Sequence, residues 1–117
     1  HNALILDAYN ANPSSMEHAL RSFAAAGNDN KLCILGDMFE LGEASPREHR
    51  FIAQLAEDLG LRAMYVGKHF QQVLGDDRAF ATTDDLKAHL RVEPIRGKTI
   101  LIKGSRGMQL EQIVENL

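Results

Sequence analysis

The sequence predicts an α/β domain in which a mostly parallel sheet of about five or six strands is covered by helices on both faces. Five short apolar runs, residues 3–6, 32–35, 63–66, 79–81 and 99–102, are nearly continuous instead of alternating, as strands buried on both faces should be. Between them lie stretches of helical period. Strands that alternate with helices imply right-handed crossovers and a three-layer, Rossmann-like arrangement. At 117 residues the chain is the size of one ordinary domain, able to bury a core but too short for two.

The first strand run opens the chain almost at once and no methionine precedes it, so a trimmed piece of a longer chain is expected. Met16, Ala19, Leu20, Phe23 and Ala24 then form one apolar stripe. Asn12 is the expected N-cap of that helix, Pro13 its first residue, and Gly27 lies just past its end. The second run holds the lone cysteine, Cys33, which can form no internal disulfide and reads as a buried small hydrophobe suited to a reducing cytosol. Phe51, Ile52, Leu55, Ala56 and Leu59 mark the second helix. Ser45, Pro46 and Glu48 predict a capping box at its start, and Gly60 follows its last apolar residue. Shorter helices are expected over 70–74 and 84–90, the latter capped by Thr83 with Asp84 and Asp85 at its positive end. Residues 93–98 read as a turn before the last strand, and Leu110, Ile113, Val114 and Leu117 mark a final helix.

Composition narrows the function classes. With 44% apolar and 25% charged residues, the chain has the balance of a soluble globular protein. Its formal charge is -3 with Lys and Arg scattered, which leaves no electrostatic footprint for nucleic acid. No apolar stretch approaches the roughly 18 residues that a membrane span needs, and no basic-then-apolar signal opens the chain. A cytoplasmic location is the expectation.

In open α/β sheets ligands bind beyond the carboxyl ends of the strands, so the segments that follow the apolar runs carry the chemical information. Three stand out: Asp7-Ala8-Tyr9-Asn10-Ala11-Asn12-Pro13, Gly36-Asp37-Met38-Phe39-Glu40-Leu41-Gly42-Glu43, and Lys103-Gly104-Ser105-Arg106-Gly107-Met108. In the first, an acid at a strand end can accept ribose hydroxyls, while Asn amides and a helix N-terminus donate to anionic oxygens; the alternative is a strand end, a cap and a packed Tyr9. In the second, glycines flank an acidic, aromatic turn that either faces a ligand or is a solvated connection. In the third, Lys103 and Arg106 beside two glycines form a cradle for a carboxylate or phosphate, or else an exposed strand-to-helix turn. His18, His49, His69 and His89 fall in or at the edges of helices without metal-ligand spacing, so structural or surface roles are expected. Cys33 has no adjacent base to make it a nucleophile. Neither G-x-x-x-x-G-K-S/T nor G-x-G-x-x-G occurs, so the chain cannot hold ATP phosphates in those ways. A receiver-type domain of similar size needs an acid after its third strand, where this chain has Val66-Gly67.

At these three segments the whole chain resembles the C-terminal domain of the Mur ligases. Asp7-Ala8-Tyr9-Asn10-Ala11-Asn12-Pro13-Ser14 is similar to the motif that opens that domain. Leu35-Gly36-Asp37-Met38-Phe39-Glu40-Leu41-Gly42, followed by His49, is similar to its second, and Lys103-Gly104-Ser105-Arg106 with Met108 and Glu111 completes the pattern. The D-Y-A-H-x-P and D-N-P-R versions of sister ligases that add diaminopimelate or lysine do not occur; the resemblance is to the branch that adds D-alanyl-D-alanine. It implies that ATP phosphorylates the terminal carboxylate of UDP-N-acetylmuramoyl-tripeptide, that the dipeptide amine attacks the acyl phosphate, and that Mg2+ neutralises the phosphates. It also implies an N-terminal domain for the UDP sugar, a central domain with the phosphate loop, and closure of this C-terminal domain over both. ATP and Mg2+ would thus be held mainly by the central domain. Carried onto this sequence, Asp7 would contact the ATP ribose, with Tyr9, Asn10 and Asn12 lining the nucleotide edge. Asp37, Phe39, Ser105 and Arg106 would line the dipeptide side, with Arg106 or Lys103 available to its carboxylate. No residue here is expected to be catalytic or to ligate metal, and the chain alone should be inactive. A stand-alone binding module that kept the fold, or a domain of a sister ligase, is the alternative.

Overall fold

The computed structural model describes residues 1–27 and 29–117. Five strands, β1 (Ala3–Asp7), β2 (Lys31–Gly36), β3 (Arg62–Val66), β4 (Ala79–Phe80) and β5 (Thr99–Lys103), form one sheet in the order β1-β5-β2-β3-β4. Every neighbouring pair is parallel, as the apolar runs separated by helices required. Four helices connect them: α1 (Pro13–Ala25), α2 (Ser45–Asp58), α3 (Lys68–Leu74) and α4 (Thr83–Val92).

The strand side chains alternate between two cores, which makes the third layer. Cys33, Leu35, Tyr65 and Leu101 pack with Met16, Leu20 and Phe23 of α1, Ile52 and Ala56 of α2 and Phe70 of α3. Ile34, Val66, Ile100 and Ile102 face the other way, onto Leu86 and Leu90 of α4 and onto Leu110 and Ile113. Burial pushes the Cys33 thiol up to about 12, so it stays protonated at neutral pH and packs as an apolar group. Among the described residues no helix is long and apolar enough to cross a membrane.

Several expectations hold at their residues. Asn12 caps α1: its side chain accepts from Ser15 N–H at 2.9 Å while Ser15 Oγ accepts from Asn12 N–H at 3.1 Å, with Pro13 at the first position. Gly60 takes a left-handed φ of 74° past α2, where Leu61 N–H returns to Ala56 O at 2.9 Å. Asp84 and Asp85 stand in the first turn of α4.

Others are corrected. The capping box at Ser45 and Glu48 does not form: a 3-10 turn, Gly42–Ala44, leads directly into α2, and Ala44 precedes the helix without a side-chain cap. That turn places carbonyls for the entering N–H groups, so the Ser45 hydroxyl is left to the rings of His49 and His69, each at 3.2 Å. The cap of α4 is Thr82, whose hydroxyl accepts from Asp85 N–H at 3.1 Å. Thr83, one residue later, donates to Met108 O at 2.6 Å. The final segment, Leu110–Asn116, is a 3-10 helix, which still stacks Leu110 and Ile113 on one face because they are three residues apart. Finally, β1 is an edge strand with Ile5 and Leu6 each 48% exposed, not a strand covered on both faces.

Candidate functional site

The strand order brings the three segments together. β5 lies between β1 and β2, so the last segment in sequence is the middle one in space. The ladder pairs Asp7 with Lys103, and Lys103 with Leu35, which puts these three side by side at the carboxyl rim with Gly36 and Gly104 one residue beyond. Glycine is needed there on steric grounds. A methyl group on Gly104 would stand 3.0 Å from the Gly36 Cα, and one on either glycine would come within 2.8 Å of Leu110 Cδ1. The backbones therefore approach as closely as they do only without side chains.

On one side of the rim, Lys103 is buried and its ammonium reaches Asp7 Oδ2 at 2.6 Å and Asn10 O at 3.0 Å. The Lys103 side chain is 3% exposed against 49% for Asp7. A charge-assisted bond from a buried cation thus orients a carboxylate that remains open on its outer side. Tyr9 stands 73% exposed, and the Arg106 guanidinium lies over its ring at 4.7 Å, within cation–π range. Asn12 gives its side-chain oxygen to the α1 cap, which leaves its amide N–H groups for other partners.

On the other side, Asp37 is buried, and both carboxylate oxygens accept backbone N–H groups of α3: Oδ2 from His69 at 2.9 Å and Oδ1 from Phe70 at 3.0 Å. It is the N-terminal cap of that helix, supplied from a different strand. Gly67 makes room for it. Its φ is 126°, and a Cβ there would overlap the Asp37 carboxylate. Ser105 laces the second and third segments: its N–H donates to Asp37 O at 3.1 Å, and its Oγ accepts from Phe39 N–H at 3.1 Å. Phe39 is 39% exposed and lies against Gly107, where a Cβ would stand 2.7 Å from its ring. His49 is fully buried, accepts from Met38 N–H through Nε2 at 3.1 Å and donates from Nδ1 to Ser45 O at 2.7 Å. Burial lowers its pKa from 6.5, against the opposing pull of the Ser45 carbonyl and the Asp37 charge.

Between these walls and the first turns of α3 and α4 lies a cleft of about 340 Å³, bordered by Asp37, Phe39, His69, Thr83, Gly107 and Gln112. A larger cleft of about 790 Å³ opens elsewhere, around Met64, Asp76 and Arg78, and none of the three segments lines it. Among the described residues no group of three His, Cys, Asp or Glu side chains is placed to hold a metal. The rim therefore gathers Asp7, Tyr9, Asn10 and Asn12 at one end and Asp37, Phe39 and Ser105 at the other, while the Arg106 guanidinium, expected on the Phe39 side, lies over Tyr9 instead. Lys103 lies with the first group, bonded to Asp7. The sequence alone did not reveal the role of Gly67, which depends on an Asp37 carboxylate 30 residues upstream, nor the bond between His49 and Met38, eleven residues apart.

Fold and rim define a class: a parallel α/β domain that gathers three strand-end segments on one rim and carries no phosphate-loop motif in its sequence. The chain belongs to the family described as Mur ligase, glutamate ligase domain, which matches residues 1–114. It is 37% identical to the UDP-N-acetylmuramoyl-tripeptide–D-alanyl-D-alanine ligase of Treponema pallidum over 93% of this chain and 26% of that protein. It is 34% identical to the ligase of the same name from Rickettsia prowazekii, over 96% of this chain and 26% of that one. A crystal structure of MurF from Acinetobacter baumannii superposes with a TM-score of 0.79 at 32% identity, covering 97% of this chain and 27% of that one. The MurF ligase of Thermotoga maritima in complex with ADP, at 21% identity and a TM-score of 0.69, shares the fold. The chain thus spans about a quarter of the length of the relatives it matches.

Proposed function

We propose that this chain is the C-terminal domain of a cytoplasmic ATP-dependent amide ligase that joins D-alanyl-D-alanine to UDP-N-acetylmuramoyl-tripeptide in peptidoglycan synthesis, and that it is inactive alone. The observation that carries the reading is the single rim on which a Lys103-held Asp7 faces one way and the Phe39 cleft faces the other, with Arg106 over Tyr9. An interaction module has no need for a buried cation that orients a half-open carboxylate at a strand end.

ATP supplies the phosphoryl group that activates the tripeptide carboxylate, and Mg2+ offsets the phosphate charge; both would sit mainly on the central domain. What this chain contributes is binding and orientation. Asp7, its inner oxygen fixed by Lys103, offers its outer oxygen to ribose hydroxyls. Tyr9, Asn10 and Asn12 line the same nucleotide edge. Across the rim, Phe39 gives the incoming dipeptide an apolar wall, and Arg106 pairs with its free carboxylate. Asp37 and Ser105 shape that wall through the bonds they make to α3 and to Phe39. Lys103, enclosed and bonded to Asp7, serves the nucleotide side; Arg106, the other cation of the three segments and next to Gly107 of the cleft lining, is assigned the carboxylate and would leave Tyr9 to reach it. Contacts on one wall give weak binding by themselves, and closure assembles the site.

The test is ATP-dependent phosphate release with UDP-N-acetylmuramoyl-tripeptide and D-alanyl-D-alanine, comparing the chain alone with the full-length protein that contains it. Turnover only in the full-length protein is expected. Turnover by the chain alone would overturn its dependence on other domains, and none in the full-length protein would overturn the ligase reading.

A further inference from the structure

Resting on the reading just given, we propose that His49 is a positioning residue for the dipeptide side of the cleft, holding the turn that carries Phe39 by accepting the Met38 N–H. The ring is fully buried and lies between a backbone donor, Met38 N–H at 3.1 Å from Nε2, and a backbone acceptor, Ser45 O at 2.7 Å from Nδ1. Buried backbone groups need partners. These two fix the ring as the neutral tautomer with its proton on Nδ1. The Ser45 hydroxyl, 3.2 Å from the Nδ1 of His69, is then free to donate to that ring, which lines the cleft. A chain of contacts runs from a histidine without solvent access to one that borders the ligand space.

A proton on Nε2 would set two donors against each other and take away Met38's acceptor. Met38 and Phe39 are adjacent, and Phe39 is pinned by its own N–H to Ser105 Oγ at 3.1 Å, so displacing the one backbone displaces the other. The charged and titratable groups that face the ring come from three elements. Asp37 Oδ1 from the turn, at 3.8 Å, and Glu48 from α2 favour protonation, while His69 from α3, stacked at 5.3 Å, opposes it. Burial outweighs the carboxylates, and the ring is neutral at physiological pH.

The experiment uses the full-length ligase and measures kcat and KM for the dipeptide and for ATP from pH 5 to 8.5 in the native protein, His49→Gln and His49→Ala. Glutamine places an amide oxygen where Nε2 stands and does not titrate. His49→Ala should raise the dipeptide KM roughly five- to tenfold at pH 7.5, the size expected from losing one buried hydrogen bond, with the ATP KM unchanged. His49→Gln should restore most of that and lack the acid-side rise of the dipeptide KM that is expected of the native protein below pH 6.5. A native dipeptide KM and acid limb in both variants would overturn the proposal while leaving the ligase reading intact. Equal changes in both KM values would overturn it too, by reducing His49 to general stability. A native protein inert toward the dipeptide would remove the reading and this proposal together.

Discussion

The Asp7–Lys103 pair shows how a single side chain acquires a role from its burial. Lys103 is enclosed and Asp7 half open, so the lysine has few other partners while the carboxylate can also serve a ligand. Substituting Lys103 by Met should raise the ATP KM several-fold, and a double-mutant cycle with Asp7→Ala should return a coupling of about 1–2 kcal/mol in ATP binding. Independent, additive effects would show that the pair does not act as a unit. Gly67→Ala is expected to destabilise the fold by about 2–4 kcal/mol, since it adds an unfavourable φ to an overlap with Asp37; chemical denaturation measures it. For His49 the folded pKa lies below the ordinary 6.5. The unfolded chain therefore binds the proton first, so this group's stabilising effect is complete above pH 6.5 and declines as pH falls from 6.5 to the folded value. Unfolding at pH 7.5 and 5.5 should show a smaller pH loss in His49→Gln than in the native protein. At this scale the sequence was legible where chemistry is local: Asn12 caps through Ser15, three residues on. It was not legible where partners are distant, as Lys103 and Asp7 are, 96 residues apart.

Elements follow the same division. Strands came through because each apolar run is continuous and short, and α1 and α2 because their stripes are regular. Their starts depended on what preceded them. The turn Gly42–Ala44 made a side-chain cap at Ser45 unnecessary. The start of α3 could not be read locally, because its cap is Asp37, more than 30 residues upstream. Removing that cap, as in Asp37→Ala, should cost about 1–3 kcal/mol and open α3 before the rest of the domain. Hydrogen exchange should then show the His69 and Phe70 amides losing protection while those of Ile34 and Ile102 keep theirs; uniform loss would mean that Asp37 supports the whole fold instead of one helix. The exposed β1 was hidden because an apolar run reports hydrophobicity, not which strand lies at an edge. Only pairing settles that.

For the whole molecule, the crossover that inserts β5 between β1 and β2 turns three separated segments into one rim. The principle that ligands gather at carboxyl ends of strands made the segments visible in the sequence; their order along the rim, and therefore which residues touch, depended on topology. The central claim is that the rim has two working sides, nucleotide at Asp7 and dipeptide at Arg106. It is tested most directly by measuring the KM for ATP and for D-alanyl-D-alanine in the full-length protein carrying Asp7→Ala or Arg106→Ala. The expected result is a crossed pattern: Asp7→Ala raises the ATP KM about tenfold or more with the dipeptide KM nearly unchanged, and Arg106→Ala does the reverse, as loss of a charge-assisted bond requires. Both variants shifting the same KM, or neither shifting any, would contradict the account.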